Sequence, residues 1–227
     1  MARRDWSTSN FLRYGGAVIA AAPLTIAYWA KTSITGTPQV GCGIFNSGAG
    51  VNNNNFRVGV SSSDVVEAIT CDGAGTAIAT SSTTFTADTW FHLCGVFASA
   101  SDRRAFLDGA GKGTNSTNKT PSGLNRTSVG KIDNTANSRP WASGGTGDIA
   151  EVAIWNAALD DAQVAMLATG LIPTKVRPDA LVAYWPLVHG YSPEINLLSN
   201  TSVLTMQGTL SMAPHCRVFM PRHRQAI

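Results

Sequence analysis

The sequence predicts an all-β protein built as two stacked antiparallel sheets, and three observations carry that reading. Charged residues make up only 14% of the 227 residues while Gly numbers 22, a balance suited to short strands and turns rather than to Glu- and Lys-rich helices. Apolar and β-branched runs of strand length recur along the chain, bounded by Gly, Asn, Ser or Pro. Finally, Asp108-Gly109 separates two such runs, and its second residue readily takes the positive φ of a tight hairpin turn. A chain of this length can form one β domain around one core.

Taken in order, residues 1–16 are polar and basic and read as an N-terminal arm. Leu24 to Ala30 is the first clear strand, and a turn-rich loop to Pro38 leads into a second at Val40 to Phe45. Asn46 to Asn55 is a Gly- and Asn-rich loop. Phe56 to Val60 and Val65 to Cys71 flank a Ser61-Asp64 turn as a hairpin, with Ala77 to Thr80 continuing the sheet. Trp90 to Phe97 is apolar on both alternating faces, as a strand buried between two layers must be. Arg103 to Leu107 and Ala110 to Asn115 complete a meander around Asp108-Gly109. Arg126 to Ile132 is a further strand; Asp133 to Gly147 is a long polar loop carrying Trp141, and loops of that length are usually functional or mobile. Asp148 to Trp155 alternates as a strand.

One helix is expected, at about 160–170. Asp160 can cap it, with Gln163 three residues on. Val164, Leu167 and Ala168 form its apolar stripe, and Gly170 stops it ahead of Pro173. Ala180 to Leu187 is a last strong strand, with Pro186 placing it at a sheet edge. The sandwich is thus assigned to 17–190, and 191–227 to a C-terminal extension and basic tail in which Val203 to Met206 pairs weakly.

The net charge of +3 is concentrated at the ends. Arg3 and Arg4 open the chain; Arg217, Arg222 and Arg224 close it. Phe219 is the single aromatic among these cations, not the run of interleaved rings that stacks on bases, so nucleic acid is not an expected partner. No apolar run reaches membrane-span length. Ala17 to Ala22 after Arg13 resembles a short leader, but Pro23 interrupts it and strand-like sequence follows, so no signal peptide is expected and the protein is placed in the cytoplasm where it is made. The four cysteines, Cys42, Cys71, Cys94 and Cys216, have no CxxC spacing and are read as reduced.

The succession LTIAYWAK, TWFHLCGVF, RRAFLDGAGKG, RTSVG and GDIAEVAIWNAALDDAQVAML resembles the laminin G-like, pentraxin-like branch of the concanavalin A-like lectin and glucanase superfamily. The resemblance covers residues 24–170 and implies a jelly-roll sandwich. Stand-alone copies ending in a basic tail such as PHCRVFMPRHR look like structural proteins of tailed bacteriophages.

That resemblance also sets the chemistry to look for. Glucanase members carry carboxylates one residue apart on a single strand. The closest pair here, Asp148 and Glu151, is three apart, which in a regular strand puts them on opposite faces. No catalytic residue is assigned, and the protein is read as a non-enzyme. Calcium is the family's usual cofactor, held on rim loops. Here those loops offer Asn52 to Asn55, Asn134 and Asn137, with Asp133 nearly alone, and Ala150 stands where the family has an acid before Glu151. No metal site or cofactor is assigned, and calcium is left open. His92, mid-strand, reads as a hydrogen-bonded core histidine.

Two functions fit. The first is a virion structural protein, a phage capsid decoration or cement subunit displayed on the capsid surface. Its arms, through Arg3, Arg4, Arg217, Arg222 and Arg224, would bind the major capsid protein or other virion subunits. Decoration subunits sit on symmetry axes, so a homo-oligomer, in the first instance a trimer, is expected. The alternative is a carbohydrate-binding module or phage adhesin recognising host-surface glycans through a loop carrying Asn134, Asn137, Arg139 and Trp141.

Overall fold

The computed structural model of the protein describes residues 1–48, 54–134 and 139–220. Its strands are, in chain order, β1 (Ala2–Arg4), β2 (Phe11–Tyr14), β3 (Leu24–Thr32), β4 (Gln39–Phe45) and β5 (Asn55–Val60). There follow β6 (Val65–Cys71), β7 (Thr76–Thr84), β8 (Phe91–Ser99), β9 (Asp102–Leu107) and β10 (Ala110–Asn115). The last are β11 (Arg126–Val129), β12 (Gly147–Trp155), β13 (Leu181–Trp185), β14 (Thr205–Gln207) and β15 (Ser211–Ala213); α1 (Asp161–Ala168) follows β12.

These strands form the two antiparallel layers that the sequence predicts. An eight-stranded sheet runs β10-β9-β8-β3-β12-β1-β15, with β13 also paired to β12; a seven-stranded sheet runs β14-β2-β11-β4-β5-β6-β7. Period-two alternation builds the core between them. Ile26 and Tyr28 of β3, Leu93 and Phe97 of β8 and Ile154 of β12 face Ile44 of β4 and Phe56 and Val58 of β5.

The eight-stranded sheet is covered on its outer side too, which explains why β8 is apolar on both faces. There Ala27, Cys94, Phe106 and Trp155 pack beneath Val164 and Leu167 of α1. Asp160 caps α1 as expected: its side chain accepts from Gln163 N at 2.8 Å, while Gln163 Oε1 accepts from Asp160 N at 3.1 Å. The seven-stranded sheet has no helix on its outer face among the described residues.

The N-terminal arm is corrected by the structure. β1 pairs with β12 and β15, and β2 with β11 and β14, so residues 2–14 belong to both sheets. Trp6 is buried and its Nε1 donates to Arg3 O at 3.0 Å. The C-terminal extension is likewise integral, since β14 and β15 flank the N-terminal strands. Three- and four-residue strands are too short to show alternation, and their partners lie more than 100 positions away, so sequence patterning hides them.

Candidate functional site

The outer face of the seven-stranded sheet holds a cavity of about 210 Å³ bordered by Arg57, Ser61, Glu67, Ile69, Ile78 and Arg139. Strand alternation puts Arg57, Glu67, Ile69 and Ile78 there. In β5, Phe56, Val58 and Val60 turn into the core, leaving Asn55, Arg57 and Gly59 on the other face; in β6, Val66 and Ala68 point inward and Glu67 and Ile69 outward. Register then assembles the site. Ile69 lies opposite Arg57 and Glu67 opposite Gly59, which makes Glu67 the diagonal neighbour of Arg57. Across the other edge of β5, Arg57 is paired with Gly43. A Cβ on Gly43 would come within 2.8 Å of Arg57 Cβ, so the glycine leaves room for the arginine stem.

Arg57 is only 2% exposed. Its Nη1 donates to Asn55 Oδ1 at 2.6 Å and to Cys71 Sγ at 3.3 Å, whereas its Nε has no acceptor. Burial lowers the Arg57 pKa, opposed by Cys71. Burial also raises that of Glu67, with Arg57 and Arg139 pulling the other way. Ile78, 37% exposed, and buried Ile69 add apolar surface to this charged group.

The expected glycan loop divides. Arg139 does reach the cavity, and its carbonyl accepts from Val40 N at 3.1 Å, fixing the loop to β4. Trp141 does not act as a surface platform. Its ring is 0% exposed, edge-on to Tyr28 with centroids 6.2 Å apart, and its Nε1 donates to Lys31 O at 3.0 Å. A large indole gains more from the core than from the rim, and here its N–H also finds an acceptor. Asn134 is half-buried, and Asn137 lies outside the described residues. Sequence reasoning passed over Arg57 and Glu67, although the polar side of NFRVGV and the single acid of VVEAITC are the signal that marks an outer face.

The expected anchors divide as well. Arg3 is buried against Glu194 at 2.6 Å, which leaves it no surface to offer a partner, and the partly exposed Arg4 is held 2.6 Å from Asp148. Arg217 is exposed; Arg222 and Arg224 lie outside the described residues. Asp133, the lone acid offered for calcium, is buried and accepts from Arg13 at 2.6 and 2.7 Å. Among the described residues no three His, Cys, Asp or Glu side chains cluster to hold a metal ion.

Asp148 and Glu151 also differ from expectation. Register slips in β12, where Ala150 pairs with Trp29 but Ala153 with Ala27, and Glu151 adopts φ 56°. This β-bulge cancels the parity argument and turns Glu151 to the outer side of the sheet, beside Trp29, His92 and Trp155. Each carboxylate is occupied: Asp148 by Arg4 and Lys31, Glu151 by the Tyr184 hydroxyl at 2.5 Å and His215 Nε2 at 3.1 Å. Cys216 lies 3.7 Å from His215 Nδ1, but burial raises its thiol well above the ordinary range, opposite to what a nucleophile requires. His92 is buried as expected, yet its Nδ1 has no partner.

A second cleft, of about 260 Å³, lies by Ala98, Ser99 and Lys119, and Lys119 is already paired with Asp72 at 3.1 Å. No helix among the described residues is long and apolar enough to cross a membrane.

Comparison with solved structures supports the same architecture. A candidate carbohydrate-binding protein from Bacteroides ovatus superposes with TM-score 0.66 at 13% identity, covering 95% of this chain and 61% of its own. The native heptameric SAP-like pentraxin of Limulus polyphemus gives 0.60 at 14% identity, covering 96% and 97%. The CBM40 of Ruminococcus gnavus IT-sialidase bound to α2,3-sialyllactose gives 0.55 at 12% identity, covering 70% and 94%. At such identities the likeness is one of fold. No curated protein sequence matches. The family model for the concanavalin A-like lectin/glucanases superfamily matches residues 7–165, spanning both sheets and most of α1. The chain therefore belongs to the concanavalin A-like lectin/glucanases superfamily, in its laminin G-like branch.

Proposed function

We propose that this protein is a non-catalytic carbohydrate-binding domain whose ligand seats on the outer face of the seven-stranded sheet, between Arg57, Glu67 and Arg139. The carrying observation is the cavity itself. It brings Arg57, Glu67 and two isoleucines from strands together with Arg139 from a loop tied to β4, the mixture that a sugar ring with polar edges and an apolar face needs. At about 210 Å³ it falls below the roughly 300–1,000 Å³ of drug-sized sites and suits one ring. The Bacteroides ovatus and Ruminococcus gnavus structures, one a candidate carbohydrate-binding protein and one holding a sialylated sugar, lend the reading support.

A non-catalytic role agrees with the state of the carboxylates: Asp148 and Glu151 are each engaged by neighbouring side chains. A glycan array followed by titration calorimetry tests the reading. The wild-type chain is expected to bind a subset of glycans, and Arg139→Ala to weaken that binding without lowering the melting temperature. A wild-type chain that binds no glycan ends it.

A further inference from the structure

We infer that the sugar taken by this cavity is acidic, its carboxylate received by Arg57 and Arg139. The inference rests on the carbohydrate-binding reading and adds the chemical class of ligand. Its first support is the unfinished hydrogen bonding of Arg57. Nη1 is committed to Asn55 and Cys71, while Nε, on the edge that it shares with Nη2, is buried without an acceptor. That edge is the fork that matches a carboxylate in bidentate geometry, and a buried donor with no partner is the group that gains most from a ligand acceptor.

The second support is charge. Arg139 borders the same cavity and makes no ion pair among the described residues, and Glu67 is the only acid among the lining residues. Two guanidiniums against one carboxylate leave the site positive. Burial already disfavours the charged form of Glu67, which lessens its repulsion of an incoming anion. Ile69 and Ile78 supply the surface for the C–H face of the ring, which separates this site from one built for an inorganic anion.

The test uses the full chain and matched probes in titration calorimetry. These are the methyl glycosides of N-acetylneuraminic, glucuronic and galacturonic acids, the methyl esters of each, neutral galactoside and glucoside, and a sulfated galactoside. At least one acid should bind about tenfold or more tighter than its ester, as a charge-assisted bidentate contact requires. That preference should shrink as salt rises. Arg139→Ala should remove most of it, and Glu67→Gln should strengthen acid binding. Arg57→Lys keeps the charge and deletes the fork, so it should erase the acid-over-ester preference; its melting curve reports folding, and if it fails to fold, Arg139→Ala decides. Equal binding of acid and ester, or preference for neutral or sulfated sugars, overturns the inference while carbohydrate binding stands. Binding of no sugar at all overturns both.

Discussion

Arg3 and Glu194 stand 191 positions apart and meet in the interior, Arg3 Nη2 lying 2.6 Å from Glu194 Oε1 with neither side chain more than 1% exposed. Arg3 also donates to Tyr191 O at 2.6 Å, so one guanidinium fastens the first strand to the C-terminal extension. Burial raises the pKa of Glu194 against the pull of Arg3, a measure of what desolvating that carboxylate costs. Removing one partner strands the other. Arg3→Ala is expected to destabilise the fold by about 3–5 kcal/mol, read as a lower urea midpoint. Replacing both, as Arg3→Met with Glu194→Leu, should restore much of the loss. A single variant as stable as the wild type would show that the pair is not holding the termini together.

Trp141 makes a parallel prediction about the loop that reaches Arg139. The ring is fully buried between Tyr28 and Phe91, and its backbone N–H donates to Gly130 O at 2.8 Å. Trp141→Ala is expected to cost about 3–5 kcal/mol through the cavity left behind. Trp141→Phe keeps most of the packing but orphans Lys31 O, at about 1–3 kcal/mol. Thermal melts of the two variants check the order. If Trp141→Ala melted with the wild type, the indole would belong to the surface after all.

These two residues show where the sequence was legible and where it was not. Long strands declare themselves because apolar residues recur over nine positions, as in β3, β8 and β12, and α1 declares itself through Asp160 and Gln163. Arg3 and Trp141 each stand alone in a polar stretch, and what buries them is a partner far along the chain. The same limit applies to the site. Arg57 reads locally as one charge in a strand; only the register of β5 against β6, and the return of the loop to β4, bring Glu67 and Arg139 beside it. Residue parity failed at Glu151 because one bulge residue inverts every face assignment across it.

The hairpin at Asp108-Gly109 is a feature that sequence and structure agree on, and it carries a second constraint. Asp108 at φ 51° and Gly109 at φ 71° are both left-handed, as a two-residue turn of this type requires. A Cβ on Gly109 would also stand 2.8 Å from Ala165 Cα and Ala168 Cβ, so the turn packs directly on α1. Gly109→Val therefore combines backbone strain with overpacking and should cost about 2–4 kcal/mol. The denaturation midpoint measures it; an unchanged midpoint would mean that α1 gives way freely.

His92 and His215 give the fold two pH dependences of opposite sign. Burial lowers the pKa of His92 from 6.5 to about 3, so between these values the unfolded chain binds a proton that the folded chain refuses. Its contribution to stability is complete above pH 6.5 and declines as pH falls toward 3, at about 1.4 kcal/mol per unit. For His215, burial pulls downward, but the hydrogen bonds to Glu151 and to the Cys216 carbonyl outweigh it and the pKa is raised. Its contribution is complete below 6.5 and is lost as pH rises through the folded value. Histidine ring signals followed by NMR should show His92 unprotonated down to about pH 4 and His215 titrating above 6.5. Glu151→Gln should return His215 toward its ordinary value and leave His92 unmoved, while His92→Phe should flatten the acid limb of the stability curve. A His92 ring that titrates near 6.5 would mean that water reaches it, and that the outer face of β8 is less tightly covered by α1 and the C-terminal segment than the packing of Trp29 and Val218 around it implies.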